Sequence, residues 1–296
     1  MFERLLPYCA ALAVSACGSE IRENQVTIFN CAEYVGTETV IERARSHLII
    51  LGEMHGTNES VHAFEHLICS ALEQSVPVRV GLEASWSQGG PLNAALTGPI
   101  DMQKVHYAAP AMWGVHDGRS SEAILELLNQ ISDWRLDGHD VSVFAFDAET
   151  EEWVSSNNHS IARDHAMAKQ VDQHLRDFDG AVILLTGEFH ARKAAFKFAD
   201  QSFIPMASLI KQRPVLSLAM KYRAGDAWLN VSVENADGAI ENSVGPFKMS
   251  GNAGDEDARR VFKIIETESG NFDGYYFTGP ISSSAPAFPK SVDKPD

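Results

Sequence analysis

Two four-residue phrases in this chain pair a carboxylate with an imidazole, Gly52-Glu53-Met54-His55 and Gly187-Glu188-Phe189-His190. A carboxylate can orient an imidazole for proton transfer. The same two groups can ligate a divalent metal that keeps a position open for water. Each phrase follows a short apolar run, 48–51 in the first case and 182–186 in the second. Such a bounded run reads as a buried strand. Glycine just past a strand permits a sharp turn or a close approach to a ligand. If the chain stays extended there, Glu and His two residues apart point to the same side. In an open α/β sheet that side is the crevice beyond the carboxyl ends of the strands.

Two more strand-like runs end in acids, 78–82 at Glu83 and 141–146 at Asp147. Ionisable residues at four successive strand ends are economically explained by one shared site. In a metal version Glu53, His55, Glu188 and His190 hold Mn, Co, Zn or Fe, which lowers the pKa of a bound water. In a metal-free version His55 is a general base oriented by a carboxylate, and His190 or an arginine stabilises developing charge. Glu83 could also be an acid at a helix start, although the shared site is the preferred reading, and Asp147 reads equally as a turn cap. His116, Asp117 and Arg119 lie in a long irregular stretch, 85–119, that is a candidate lid. His62 and His66 stand one helical turn apart and read as a half-exposed helix face rather than a metal pair.

These residues need a scaffold, and the pattern supplies one. Helix-like stretches at 39–46, 58–74, 121–136, 158–176 and 191–200 alternate with strand-like runs at 47–51, 78–82, 141–146, 181–185 and 215–220. Asn58 is the expected N-cap of the second helix. The alternation implies βα units and a mainly parallel sheet flanked by helices. After residue 222 strand-like runs at 227–233, 260–265 and 274–277 occur without helices, and 235–257 reads as loop. The expected organisation is therefore an N-terminal linker at 17–37, an α/β core at 38–222, a β-rich extension at 223–280 and a loose tail at 281–296.

The chain has 296 residues, 45% hydrophobic and 22% charged, enough to bury a substantial core. Its net charge of −16 argues against nucleic acid as a partner, because phosphate binding needs a surplus of Lys and Arg. Residues 1–16 carry Arg4 and an apolar stretch too short to span a bilayer. They end in Val14-Ser15-Ala16-Cys17-Gly18, which resembles a bacterial lipobox. The implied mature protein begins at a lipidated Cys17 and sits on the outer membrane facing the periplasm. Cys31 and Cys69 then either pair, as an oxidising compartment permits, or stay as buried thiols.

The order Gly52-Glu53-Met54-His55, Gly81-Leu82-Glu83, Arg163-Asp164-His165-Ala166-Met167-Ala168 and Gly187-Glu188-Phe189-His190 resembles the superfamily joining erythromycin esterases, Tiki proteases and ChaN-like haem-uptake proteins. It covers roughly residues 40–220. The Gly-Glu-x-x-His phrase of the esterases is one residue shorter here. The resemblance implies an α/β core with Glu53, His55, Glu83, Arg163 and His190 around one pocket. It also brings in Arg163, which alone reads as a helix-surface residue, to hold a substrate carboxylate or an oxyanion. The leading expectation is a lipid-anchored periplasmic hydrolase acting on a small-molecule or peptide ester or amide. The alternative is a haem-binding uptake lipoprotein without turnover, with His106, Tyr107, Met112 and Trp113 as conceivable contacts.

Overall fold

The structure is a computed structural model that describes residues 31, 34–149, 159–198, 201–234, 240–254, 259–265 and 270–288. Cys17 and the lipobox lie outside the described residues. The core is an eight-stranded sheet built from β1 (Leu48–Glu53), β2 (Val78–Ser85), β3 (Val141–Asp147), β4 (Ala181–Gly187), β7 (Val215–Glu234), β8 (Ile240–Gly251), β9 (Val261–Ile264) and β10 (Gly274–Pro280). A separate hairpin pairs β5 (Phe196–Phe198) with β6 (Gln201–Phe203). The order across the large sheet is β3-β2-β4-β1-β7-β10-β9, with β8 paired to the outer part of β7. All pairings from β3 to β10 are parallel; β9 and β8 add antiparallel edges.

The apolar runs become strands because both faces of the sheet are covered. All six residues of β1 are buried. Ile49 and Leu51 join a core with the helices Thr37–Ala44, Asn58–Glu73 and Glu122–Leu136 (α1, α2 and α6). Leu48 and Ile50 face the opposite core with the helices His159–Leu175 and Met206–Leu209. The period of two thus splits one continuous apolar run between two layers of helix.

This topology places the two Glu-His phrases side by side. β1 and β4 are adjacent, with Gly52 opposite Thr186 and Glu53 opposite Gly187. From β1 the chain proceeds toward β2 and β3, whereas from β4 it proceeds toward β7 on the other side. The strands diverge between β1 and β4, and the crevice at such a switch point is where open α/β sheets bind ligands.

Several expectations need correction. The boundary at 222/223 falls inside β7, and β10 lies parallel to it, so the C-terminal strands are part of the sheet. Much of 235–257 is not loop, because β8 forms a long hairpin arm with the outer half of β7. Among its described residues the stretch 191–200 is not a helix beyond Ala191; a short turn of helix, Glu188–Ala191, precedes the paired strands β5 and β6. Phe196 stacks on Phe203 across that pair, a cross-strand contact that favours extended chain. Thr57, not Asn58, is the N-cap of α2. The irregular stretch holds three short helices, Gly89–Ala95, Met102–Ala108 and Pro110–Gly114 (α3, α4 and α5).

Residues 281–288 are not a loose tail. Ser284 donates its backbone N–H to Gly56, Ala287 donates to Ser120, and Glu122 donates back to Ala285. Phe288 packs edge-on against Trp113. Residues 289–296 lie outside the described residues. Cys31 and Cys69 form a disulfide, tying the segment before α1 to α2. His66 is buried rather than half-exposed, bonded to Thr37 and stacked on Tyr34, and desolvation pushes its pKa down to about 4. His62 stays on the surface. No helix among the described residues is long and apolar enough to cross a membrane.

Candidate active site

β1 remains extended through Glu53, so Glu53 and His55 meet on one side of the chain. The carboxylate accepts the His55 Nδ1 hydrogen at 2.8 Å. Its second oxygen accepts from Ser60 Oγ at 2.6 Å, in the first turn of α2. With Nδ1 protonated by this pairing, the lone pair of the neutral ring is on Nε2. His55 Nε2 stands 3.7 Å from Glu83 Oε2. The absence of a side chain at Gly187 leaves room for that nitrogen, since a Cβ there would sit 3.0 Å from it.

Glu83, at the end of β2, is the hub. Its Oε2 accepts from Thr186 Oγ1 at 2.6 Å and the Gly187 N–H at 2.8 Å. Its Oε1 accepts from Arg163 Nη2 at 2.7 Å and Arg119 Nη1 at 3.2 Å. Asp147, at the end of β3, accepts from the same arginines, from Arg163 Nε and Nη2 at 2.8 Å each and from Arg119 Nη1 at 3.1 Å. Asp117 grips the other edge of Arg119, with Nη2 at 2.8 Å. Burial disfavours ionised Glu83, but His55, His190, Arg163 and Arg119 outweigh it and hold its pKa well below the usual carboxylate range. Burial likewise opposes charge on Arg163, and hydrogen bonding to Asp147 and the charge of Glu83 more than restore it.

The second phrase has a different geometry. β4 ends at Gly187 and helix begins at Glu188, which carries Glu188 to the rim, 3.9 Å from Arg192. His190 points inward. Its Nδ1 lies 2.8 Å from Asp164, and its Nε2 lies 3.1 Å from Arg163 Nη1. A guanidinium only donates, so Nε2 accepts and Nδ1 carries the hydrogen to Asp164. Asp164 also accepts the Met206 N–H at 2.6 Å, which fixes the carboxylate.

These groups surround a cavity of about 440 Å³. Glu53, His55, Glu83, Asp117, Arg119, Arg163, Glu188 and His190 all line it, and Met54, Phe189 and Leu229 give it apolar wall. Asp147 supports it from behind through the arginines. His116 does not line it; its carbonyl accepts from Trp228. Its neighbour Gly118, at φ +99°, packs on the backbone of Gly56, where a Cβ would lie 2.4 Å from the Gly56 nitrogen. The loops bearing His55 and Arg119 are thereby held back to back.

The arrangement does not suit the metal set Glu53, His55, Glu188 and His190. Glu188 stands at the rim, both ring nitrogens of His190 are engaged, and both oxygens of Glu53 are engaged. Two guanidiniums occupy the centre, where a dication would meet repulsion. Among the described residues, no group of three or more His, Cys, Asp or Glu is disposed to hold a metal ion. None of the suggested haem contacts, His106, Tyr107, Met112 and Trp113, lines this cavity. Tyr107 is 77% exposed, while Trp113 is buried and donates to the Val105 carbonyl.

Sequence reading missed Asp164, Ser60 and Thr186 as members of this network, and Leu229 and Asn230 as part of the wall. Thr186 and Asp164 adjoin residues already singled out, and Ser60 sits where the first turn of a helix faces back to its strand. Leu229 and Asn230 lie in the run 227–233 that reads as a strand, but no local pattern tells that this strand reaches the cavity.

No protein-family model matches the chain, and no curated protein matches it. Solved structures do. A mutant of erythromycin esterase EreC in its open conformation aligns with a TM-score of 0.57 at 12% identity, over 86% of this chain and 95% of that one. A protein from Bacillus cereus aligns at 0.54 and 12%, over 85% and 93%. ChaN of Campylobacter jejuni, described with cofacial haem, aligns at 0.43 and 13%, over 62% and 86%. At these identities the likeness is one of fold. The chain has the α/β fold of erythromycin esterase EreC.

Proposed function

We propose that this chain is a hydrolase of ester or amide bonds in which His55 activates water. The observation that carries the reading is the His55 ring, with one nitrogen tied to Glu53 and the other in a cavity with no hydrogen bond among the described residues. In the proposed step the water oxygen bonds to the carbonyl carbon as its proton passes to His55 Nε2. The carbonyl electron pair moves onto oxygen. Arg163 has five N–H hydrogens, four of them donated to Asp147, Glu83 and His190, and the remaining Nη1 hydrogen serves that oxyanion. The intermediate collapses, the bond to the leaving group breaks, and the leaving group takes the proton from His55. Glu53 and Glu83 stabilise the imidazolium between these transfers. Burial lowers the His55 pKa, but the two carboxylates outweigh it and raise the value above the usual 6.5. Both edges of the Arg163 fork already face protein groups, so the fork does not clamp a substrate carboxylate as the sequence suggested.

Hydrolysis of a neutral chromogenic ester by the wild type and His55→Gln, both in excess chelator, tests this reading. Turnover by the wild type and its loss in a normally folded variant are expected. Equal rates, or activity only with added metal, would overturn it. A Soret band on haemin titration, with no turnover, would favour the haem-binding alternative. We further propose envelope localisation through lipid on Cys17, a reading supported by the Cys31–Cys69 disulfide, which belongs to oxidising compartments. Cys17→Ser should release the protein from the membrane fraction.

A further inference from the structure

A second cavity, of about 170 Å³, shares Glu83 and Arg119 with the first and adds Asp147. Beyond these charged groups its lining is short and mostly apolar, Ala84, Ala111, Met112, Val115 and Ala148, with Ser85 as the one further polar residue. Two of the apolar five come from the ends of β2 and β3. The other three come from α5 and the residue after it, inside the stretch read from sequence as a lid. The volume is close to that of apolar cavities that accommodate a benzene ring. Charge at the mouth and methyl groups inside make a compartment for a substrate segment that is polar where it reacts and apolar beyond.

We propose that this cavity is the acyl chamber of the enzyme and that it selects esters or amides of short-chain or single-ring acids. The inference rests on the hydrolase reading above. A carbonyl held between His55 and Arg163 lies beside Glu83, the wall common to both cavities, so its acyl substituent has the smaller chamber within reach. The bulkier leaving group occupies the larger cavity, from which it departs. The chamber also sets an upper size, because its floor is the buried pair Ala84 and Ala148.

The test uses esters of one alcohol with acyl groups from acetyl to hexanoyl and benzoyl. In the wild type kcat/KM rises roughly fourfold for each methylene that enters an apolar site, then falls once the chamber is full. Ala111 is exposed at its side chain, so Ala111→Phe can fill the chamber without disturbing the core. The benzoyl-to-acetyl ratio should drop at least about tenfold in that variant. Val115→Ala enlarges the chamber and should move the optimum toward longer chains. Identical acyl profiles in all three proteins would overturn the proposal. If no ester is hydrolysed, the hydrolase reading fails, and the chamber is judged by ¹⁹F NMR titration of 4-fluorobenzyl alcohol. Binding abolished by Ala111→Phe supports the chamber; binding unaffected by it, or none in the wild type, overturns it.

Discussion

The two Gly-Glu-x-His phrases are nearly identical in sequence and lie on neighbouring strands, yet they do different things. β1 runs through the glutamate of its phrase, Glu53. After β4 the chain turns into helix at the equivalent position, and Glu188 swings to the rim. The first phrase therefore builds a carboxylate–imidazole pair with an available Nε2. The second delivers a histidine whose two nitrogens are consumed by Asp164 and Arg163. One residue of strand length separates the proposed general base from a buttress.

This contrast can be sharpened by mutation. His55→Gln should lower kcat by roughly 10²–10⁴-fold, the usual worth of a positioned general base. His190→Gln and Asp164→Asn act through the aim of Arg163, and each should cost roughly tenfold, mostly in kcat. A loss at His190 equal to that at His55 would break the comparison.

The pH dependence of kcat/KM separates the phrases again. In the proposed reaction the neutral form of His55 is the base, and its pKa is raised, so activity should climb with pH through a midpoint above 6.5. Removing the Glu53 charge destabilises the imidazolium, and Glu53→Gln should move that midpoint toward acid. Glu188→Gln should leave it in place. A common shift in both variants would contradict the distinction.

The smallest expected effect concerns the platform beneath the first phrase. His66, in α2, is buried in its neutral form, and desolvation lowers its pKa from the usual 6.5 to about 4. The unfolded chain binds more protons between these values, so stability should decline as pH falls from 6.5 to 4. Urea titrations of His66→Phe should show that slope reduced; an unchanged slope would place its origin elsewhere.

The sheet was legible because its strands are short, bounded and almost wholly apolar, and the residues ending them were legible because acids recur at four successive strand ends. Glu53, Glu83, Asp147 and His55 could be seen this way. Glu188 was misplaced because nothing in Gly-Glu-x-His tells whether the strand ends before or after the glutamate. β8 was missed because its burial alternates while its residue types do not follow it, with Ser243 and Gly245 inward and Val244 and Pro246 outward, which leaves little hydropathy signal of period two. The ordering of 281–288 depends on hydrogen bonds to Gly56, Ser120 and Glu122, partners over a hundred residues distant that composition cannot anticipate.

The central claim is that the first phrase performs acid–base chemistry and the second only supports it. The most direct test is kcat/KM of Glu53→Gln beside Glu188→Gln on one neutral ester in excess chelator. The account predicts a loss of roughly 10²-fold for Glu53→Gln and a near wild-type value for Glu188→Gln. Equal, large losses in the two variants would show that both glutamates serve one centre, and would contradict it.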